Sequence, residues 1–335
     1  MSSNAHQAYD LAQMQALPLE AKIRMTKQRI KAWYESWTQF EIKDDATGKT
    51  RFVTIDTRDY SAEPPMKETE YVVSISPGHV YVSVSGKDST VLKHLVDSMY
   101  SDVPAVFVNT GLEYPEIQKF WHDIKKGKYP CFNSDVEIIR PEMRFDEVIK
   151  KYGYPVVSKE VSKVVSSAKD GTEGKWKTTC LEMLNGERMT SQGQKSMFNK
   201  QKWKFLLDAD FQISHKCCDV MKKKPAKEYE KQTGRKAFIG TLTSESKLRE
   251  QQWIKYGCNA FNKDRPTSQP LSFWTEQDIL HYIKEYDVPY CSVYGDIVLD
   301  FNDDTPDEQI NIIDYLGEYE PGKKRIETPI DILAV

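Results

Sequence analysis

The chain has 335 residues, 39% of them apolar, with a mean hydropathy of −0.62, enough for about two domains or one large domain with insertions. That composition excludes a disordered or fibrous chain. No apolar run approaches the ~18–20 residues that span a bilayer, and the opening MSSNAHQAYD lacks the basic-then-apolar order of a secretory signal, so a cytoplasmic protein with no membrane partner is expected. Six cysteines are too few for a disulfide scaffold, so cysteine here means packing or chemistry. Net charge is only −3, which gives no global field for nucleic acid. The distribution is less even: residues 195–236 hold twelve Lys and Arg against five Asp and Glu, while 296–320 hold nine acidic residues and no basic ones.

In chain order, 19–40 place Ile23, Met25, Ile30, Trp33 and Trp37 at helical spacing, predicting an amphipathic helix. Residues 40–57 alternate around Asp-Ala-Thr-Gly at 45–48, a hairpin signal, and 61–70 read as an exposed loop. HVYVSVS at 79–85 predicts a strand and STVLKHLVDSM at 89–99 a helix; a second strand follows at 104–111, a helix at 113–124 and a third strand at 135–141. KAFIGT at 236–241 predicts another buried strand, and 272–286 a helix with Thr275 as N-cap. This alternation predicts an α/β fold built of βαβ units on a parallel sheet.

The most informative stretch is 83–90, Ser83-Val84-Ser85-Gly86-Lys87-Asp88-Ser89-Thr90, between a predicted strand and a predicted helix. A helix N-terminus offers unpaired N–H groups and a partial positive charge, Gly86 lets the backbone approach a phosphate, the serine hydroxyls add donors and Lys87 adds a full charge. It is not a Walker A loop, because position 81 is Tyr and Lys87 is followed by Asp. Kinase and GTPase chemistry lose their support.

The run Ser85-Gly86-Lys87-Asp88-Ser89 resembles the S-G-G-K-D-S pyrophosphate loop (PP-loop) of ATP pyrophosphatases and of the phosphoadenosine phosphosulfate (PAPS) reductase-like family, with Ser85 where that pattern has a glycine. Further segments resemble the same family in its order: Thr110-Gly111-Leu112-Glu113-Tyr114-Pro115-Glu116; Cys217-Cys218-Asp219 with the 222–225 run; Gly240-Thr241 followed by Glu245-Ser246 and Arg249; and 270–275 leading to Val288-Pro289-Tyr290. The resemblance implies a doubly wound, mostly parallel, Rossmann-like sheet over 79–298. Around it come an N-terminal helix with an inserted hairpin (1–78), a helical C-terminal part and an acidic extension (299–335). It also implies nucleotide contacts at Ser83, Ser85, Gly86, Lys87, Asp88, Ser89, Thr90, Thr110, Gly111, Glu113, Gly240, Glu245 and Arg249, with Lys87, Asp88 and Arg249 in catalysis. Mg²⁺ would accompany ATP, or PAPS or adenylyl sulfate would take its place. Glu113 alternatively serves the dipole of its helix, and Arg249 a surface ion pair.

Two departures bear on the chemistry. The C-terminal Glu-Cys-Gly-x-His segment of thiol-dependent PAPS reductases has no counterpart, and residues 296–335 contain no cysteine, which weakens a reductase that needs a thiolate nucleophile. Cys217, Cys218, Cys258 and Cys291 are candidates for iron–sulfur ligation, and His215 with Cys217 and Cys218 for zinc, although no Cys-x-x-Cys occurs and inert thiols are the preferred reading. About forty residues, 38–78, also intervene before the loop strand, a place for a second copy or a protein partner. The resulting expectation is a PP-loop enzyme cleaving ATP at the α-phosphate in a sulfur-transfer or sulfate-related reaction. The alternatives are a sulfonucleotide (PAPS or adenylyl sulfate) reductase using an external thiol or an iron–sulfur cluster, and a non-catalytic nucleotide- or nucleic-acid-associated protein.

Overall fold

The computed structural model describes residues 6–59, 61–300 and 311–315, the segments 298–300 and 311–315 as backbone only. Two short helices lead in, α1 (Ala8–Gln15) and the longer α2 (Leu19–Glu35). Helix α2 buries Lys22, Ile23, Thr26, Ile30 and Trp33, one stripe at helical spacing. It stops five residues before the expected 40, because Thr38, Phe40 and Ile42 are taken up by the strand ladder that follows. That ladder is a three-stranded antiparallel sheet, ordered β2 (Thr50–Asp56), β1 (Trp37–Asp44) and β3 (Glu70–Pro77). The expected hairpin is therefore present and carries a third strand that the sequence did not signal.

The central sheet has six strands: β4 (Val80–Val84), β5 (Ala105–Val108), β6 (Val136–Ile139), β7 (Lys236–Ile239), β8 (Asn259–Ala260) and β9 (Thr267–Ser268), ordered β6-β5-β4-β7-β9-β8. β4 pairs in parallel with β5 and β7, β7 in parallel with β9, and β8 with β9 antiparallel. Helix α3 (Lys87–Asp97) connects β4 to β5, and α4 (Pro115–Lys125) leads from β5 toward β6. The chain thus winds outward from β4 and returns to its other side at β7, the doubly wound order. Right-handed crossovers in opposite directions set helices on opposite faces. Val80, Val82, Leu92, Leu95, Phe107, Trp121 and Phe238 are buried in the resulting core.

By compactness the chain falls into two units. One compact unit comprises 1–107, 113–138 and 229–335; the other comprises 108–112 and 139–228. The second unit contains α5 (Phe145–Tyr152), α6 (Lys159–Asp170) and α7 (Lys175–Asn185), and α8 (Lys224–Thr233) begins in it. It has its own small core of Val161, Val164, Val165, Cys180, Leu184 and Leu206. In the first unit, α9 (Lys247–Tyr256) follows β7 and α10 (Glu276–Glu285) follows β9. Thr275 caps α10 as expected, its hydroxyl accepting from the Asp278 N–H while the Asp278 carboxylate accepts from the Thr275 N–H. Asp278 also holds the buried Lys22 ammonium at 2.6 Å, and the Trp274 indole donates to Thr26 at 2.8 Å, so α2 is bolted to the start of α10. The acidic extension expected at 299–335 lies outside the described residues, apart from a backbone pairing of β10 (Asp296–Asp300) with β11 (Asn311–Tyr315).

Candidate functional site

Strands β4 and β7 are parallel neighbours from which the chain departs in opposite directions, so the crevice beyond their carboxyl ends is where a doubly wound sheet places a ligand. Residues 85–90 open that crevice from β4, and 240–249 from β7. Gly86 caps α3, whose first residue is Lys87.

The loop is braced from within. Ser89 Oγ accepts from the Ser85 N–H and donates to the Gly86 carbonyl, both at 2.7 Å, and Thr90 Oγ1 donates to the same carbonyl at 3.2 Å. The Trp121 indole N–H donates to the Ser85 carbonyl at 2.8 Å. The Ser89 hydroxyl, expected as a phosphate donor, and the Thr90 hydroxyl are both turned to the loop's own backbone. Gly240 has a packing reason to be glycine: a Cβ there would stand 2.8 Å from Ser89 Cα and 2.9 Å from Ser89 N, both backbone atoms. Its lack of a side chain lets β7 close against the first turn of α3.

Lys87 is largely buried, its Nζ 3.2 Å from Glu276 and 3.8 Å from Asp88. Burial pulls its pKa down, but the Asp88 and Glu276 carboxylates outweigh burial and hold the ammonium charged. Tyr294 lies against the same turn. Its hydroxyl accepts from the Lys87 N–H at 3.2 Å, its ring centroid is 5.4 Å from Lys87 Nζ, and it would stand 2.4 Å from a Cβ on Gly86. Burial pushes the Tyr294 hydroxyl up to about 12, with the Lys87 N–H and ammonium opposing, so it stays protonated at neutral pH.

On the β7 side, Glu245 caps its own turn by accepting from the Leu242 N–H at 3.2 Å and pairs with Arg249. Ser246 caps α9 through the Arg249 N–H. Burial lowers the Arg249 pKa while the Asp88 carboxylate of the loop opposes it. Lys87, Asp88, Gly240, Glu245 and Arg249 are therefore gathered at one end of the sheet with Ser83 and Ser85. The sequence reading missed Glu276 and Tyr294. Glu276 carried only the signal of a first-turn carboxylate, and Tyr294 none.

Thr110 and Gly111 belong to the other unit. Thr110 is buried with its hydroxyl accepting from the Leu112 N–H at 3.2 Å, and Gly111, at φ +80°, donates to Asn109 Oδ1 at 2.9 Å. A side chain at that φ is strained, so the turn requires glycine. The Glu113 carbonyl accepts from the Gln118 side chain at 2.9 Å ahead of α4. Of the lysine run, Lys223 pairs with Asp219 at 2.9 Å and Lys224 with Glu142.

Of the four cysteines that are candidates for iron–sulfur ligation, Cys258 and Cys291 belong to the first unit and Cys217 and Cys218 to the second. Cys258 is buried, its sulfur accepting from the Trp253 indole at 3.4 Å and the Ser272 hydroxyl at 3.3 Å. Cys291 is also buried, and burial raises its thiol. A raised thiol makes Cys291 a poor iron–sulfur ligand, which must be a thiolate. In the second unit, Cys217 and Cys218 share a hydrogen bond that favours the Cys218 thiolate, and Lys159 and Lys222 lower it further. His215 is 3.4 Å from Ser166, and burial lowers its pKa. Among the described residues no three His, Cys, Asp or Glu side chains converge as metal ligands, and no helix is long and apolar enough to cross a membrane.

A family profile described as "Phosphoadenosine phosphosulfate reductase domain" matches residues 79–171 and 169–297. An adenosine 5'-phosphosulfate reductase of Staphylococcus haemolyticus is 28% identical over 219 residues, and one of Staphylococcus epidermidis 24% identical over 219 residues. Each match covers 64% of this chain and 64% of the relative's length. A solved phosphoadenylyl-sulfate (PAPS) reductase from Candida auris, in phosphate complex, aligns with 87% of this chain and 93% of its own at 13% identity and a TM-score of 0.37.

Proposed function

The chain belongs to the phosphoadenosine phosphosulfate reductase domain family, and on that premise we propose that it is a cytoplasmic enzyme holding an adenine nucleotide with its phosphates on residues 85–89. The reaction is cleavage of ATP at the α-phosphate, within sulfur transfer or sulfate activation. A substrate oxygen forms a bond to the α-phosphorus, the bond from that phosphorus to the β-bridging oxygen breaks, and pyrophosphate leaves with the electron pair. Lys87, the α3 N-terminus and Arg249 neutralise the spreading charge, so catalysis is mostly positioning. The observation that carries this reading is the buried Lys87 ammonium, kept charged by two carboxylates at the mouth of the crevice. Mg²⁺ would be held by Asp88 and Glu276 together with the nucleotide phosphates, where it would supply further charge neutralisation, as suits an ion that prefers a few carboxylates plus phosphate oxygens.

A second reading, reduction of adenylyl sulfate or PAPS, is favoured by the names of the relatives and by the thiolate-prone Cys218. There a thiolate attacks the sulfur, releasing the nucleotide, and a second thiol completes the two-electron reduction to sulfite. Residues 38–78 complete the reading as a surface for a second copy or a partner, because Phe52, Val73 and Ile75 are more than half exposed there. Turnover decides between the reactions. Pyrophosphate release from Mg²⁺-ATP that is unchanged in Cys218→Ser supports adenylyl chemistry. Sulfite release from adenylyl sulfate that is lost in Cys218→Ser, with no ATP turnover, replaces it with reduction.

A further inference from the structure

Residues 139–228 carry 19 Lys and Arg against 12 Asp and Glu, a local charge of +7 in a chain whose total is −3. A net positive charge gathered in one compact unit is a footprint for a polyanion. The same unit bares flat rings: Trp176 is 48% exposed, Phe198 44% and Phe205 62%. Trp176 and Phe198 line a cleft of about 240 Å³ together with Lys163 and Arg188, several times the space one water takes in the liquid.

The cleft is built rather than incidental. α6 supplies Lys163, whose ammonium stands 5.2 Å from the Trp176 ring on α7. The one carboxylate in the lining, Glu160, is neutralised by Lys200 at 3.2 Å. The Arg188 carbonyl accepts from the Ser196 N–H at 2.9 Å and the Asn199 amide at 3.1 Å, which fastens the turn bearing Phe198 to the segment bearing Arg188. Beyond the cleft, Lys202 stands 4.9 Å from the Trp203 ring, repeating the pairing of cation with ring.

We infer that this unit binds single-stranded nucleic acid, with an unstacked base entering the cleft beside Trp176 and Phe198 and the flanking phosphates held by Lys163 and Arg188. Rings supply stacking that any base can use, and lysines supply the backbone contact; together they are how single strands are bound without sequence readout. An acidic polypeptide would satisfy the lysines but leave the rings unused, and a duplex keeps its bases stacked inside. The site is independent of the nucleotide reading at Lys87.

The test uses the full chain with a twelve-residue oligothymidylate, the matching duplex and polyglutamate, followed by anisotropy at several salt concentrations. The single strand is expected to bind more tightly than duplex or polyglutamate. Trp176→Ala is expected to weaken it by roughly tenfold, a typical stacking loss. Lys163→Gln, on an exposed residue that leaves the fold intact, is expected to reduce the slope of log K against log salt by about 0.7, one phosphate's share for a single strand. Equal or tighter binding of polyglutamate or duplex overturns the inference. So does absence of binding at 50 mM salt, or single-strand binding that neither variant changes.

Discussion

Lys87 and Lys163 both stand beside an aromatic ring, at 5.4 Å from Tyr294 and 5.2 Å from Trp176, yet the two units use the pairing differently. Around Lys87 the ring, the carboxylates of Asp88 and Glu276 and the α3 backbone enclose the cation. Its charge is held by the opposite charges around it and, being buried, is little screened by salt. Lys163 is exposed, beside a half-exposed indole, so its attraction for an anion is diluted by every added salt ion. The same two residue types thus make a preset phosphate site in one unit and a salt-sensitive surface in the other.

The largest effect expected comes from filling the contact that closes β7 on α3. Gly240→Val meets the Ser89 backbone under 3 Å, and overpacking of this kind costs about 1–3 kcal/mol. Denaturant melts should show that loss, and calorimetry a fall in nucleotide affinity of more than about a hundredfold, while oligonucleotide binding stays unchanged. Loss of both together would break the distinction between the units. A smaller contrast comes from salt. Between 50 and 200 mM, a single strand held through the two phosphates at Lys163 and Arg188 should lose roughly sevenfold in affinity, and Mg²⁺-ATP much less. Equal salt slopes for the two ligands would contradict enclosure of Lys87.

Tyr294→Phe should change nucleotide affinity by only a few-fold, upward, because it frees the Lys87 N–H now given to the tyrosine hydroxyl. A fall instead would place the hydroxyl among the ligand's own contacts. The smallest effect concerns Glu70, whose pKa the Arg51 guanidinium and the Lys67 N–H hold down at about 2. A depressed carboxylate contributes stability above its usual value of 4.5 and loses it as pH falls toward 2. Acid melts of the wild type should therefore show a loss between those limits that Arg51→Gln flattens; identical profiles would remove the pair from the account.

What the sequence revealed and what it hid follow a physical line. Thr275 and Asp278 speak to each other across three residues, so α10 was legible from its cap, and the strand–loop–helix at 80–97 was legible from apolar run and turn chemistry alone. Trp37 and Phe40 fit a helix stripe and a strand equally well, and only pairing with β2 and β3 decides between them. The Lys87 contact with Tyr294 joins residues 207 positions apart, and no local pattern announces it. Gly240 read as a ligand contact because a glycine that admits a phosphate and one that admits a neighbouring backbone look alike in one dimension. The sequence alone does not tell that Trp253 and Ser272 donate to the Cys258 sulfur, the packing that goes with an inert thiol.

The central claim is that the enclosed Lys87 holds nucleotide phosphates, and calorimetry of Mg²⁺-ATP binding to the wild type and to Lys87→Ala tests it most directly. Loss of a charged contact of this kind is worth about 1.5–3 kcal/mol. The account predicts one nucleotide per chain and at least a tenfold weaker Kd in a variant that melts like the wild type. Equal affinity in the two proteins would contradict it.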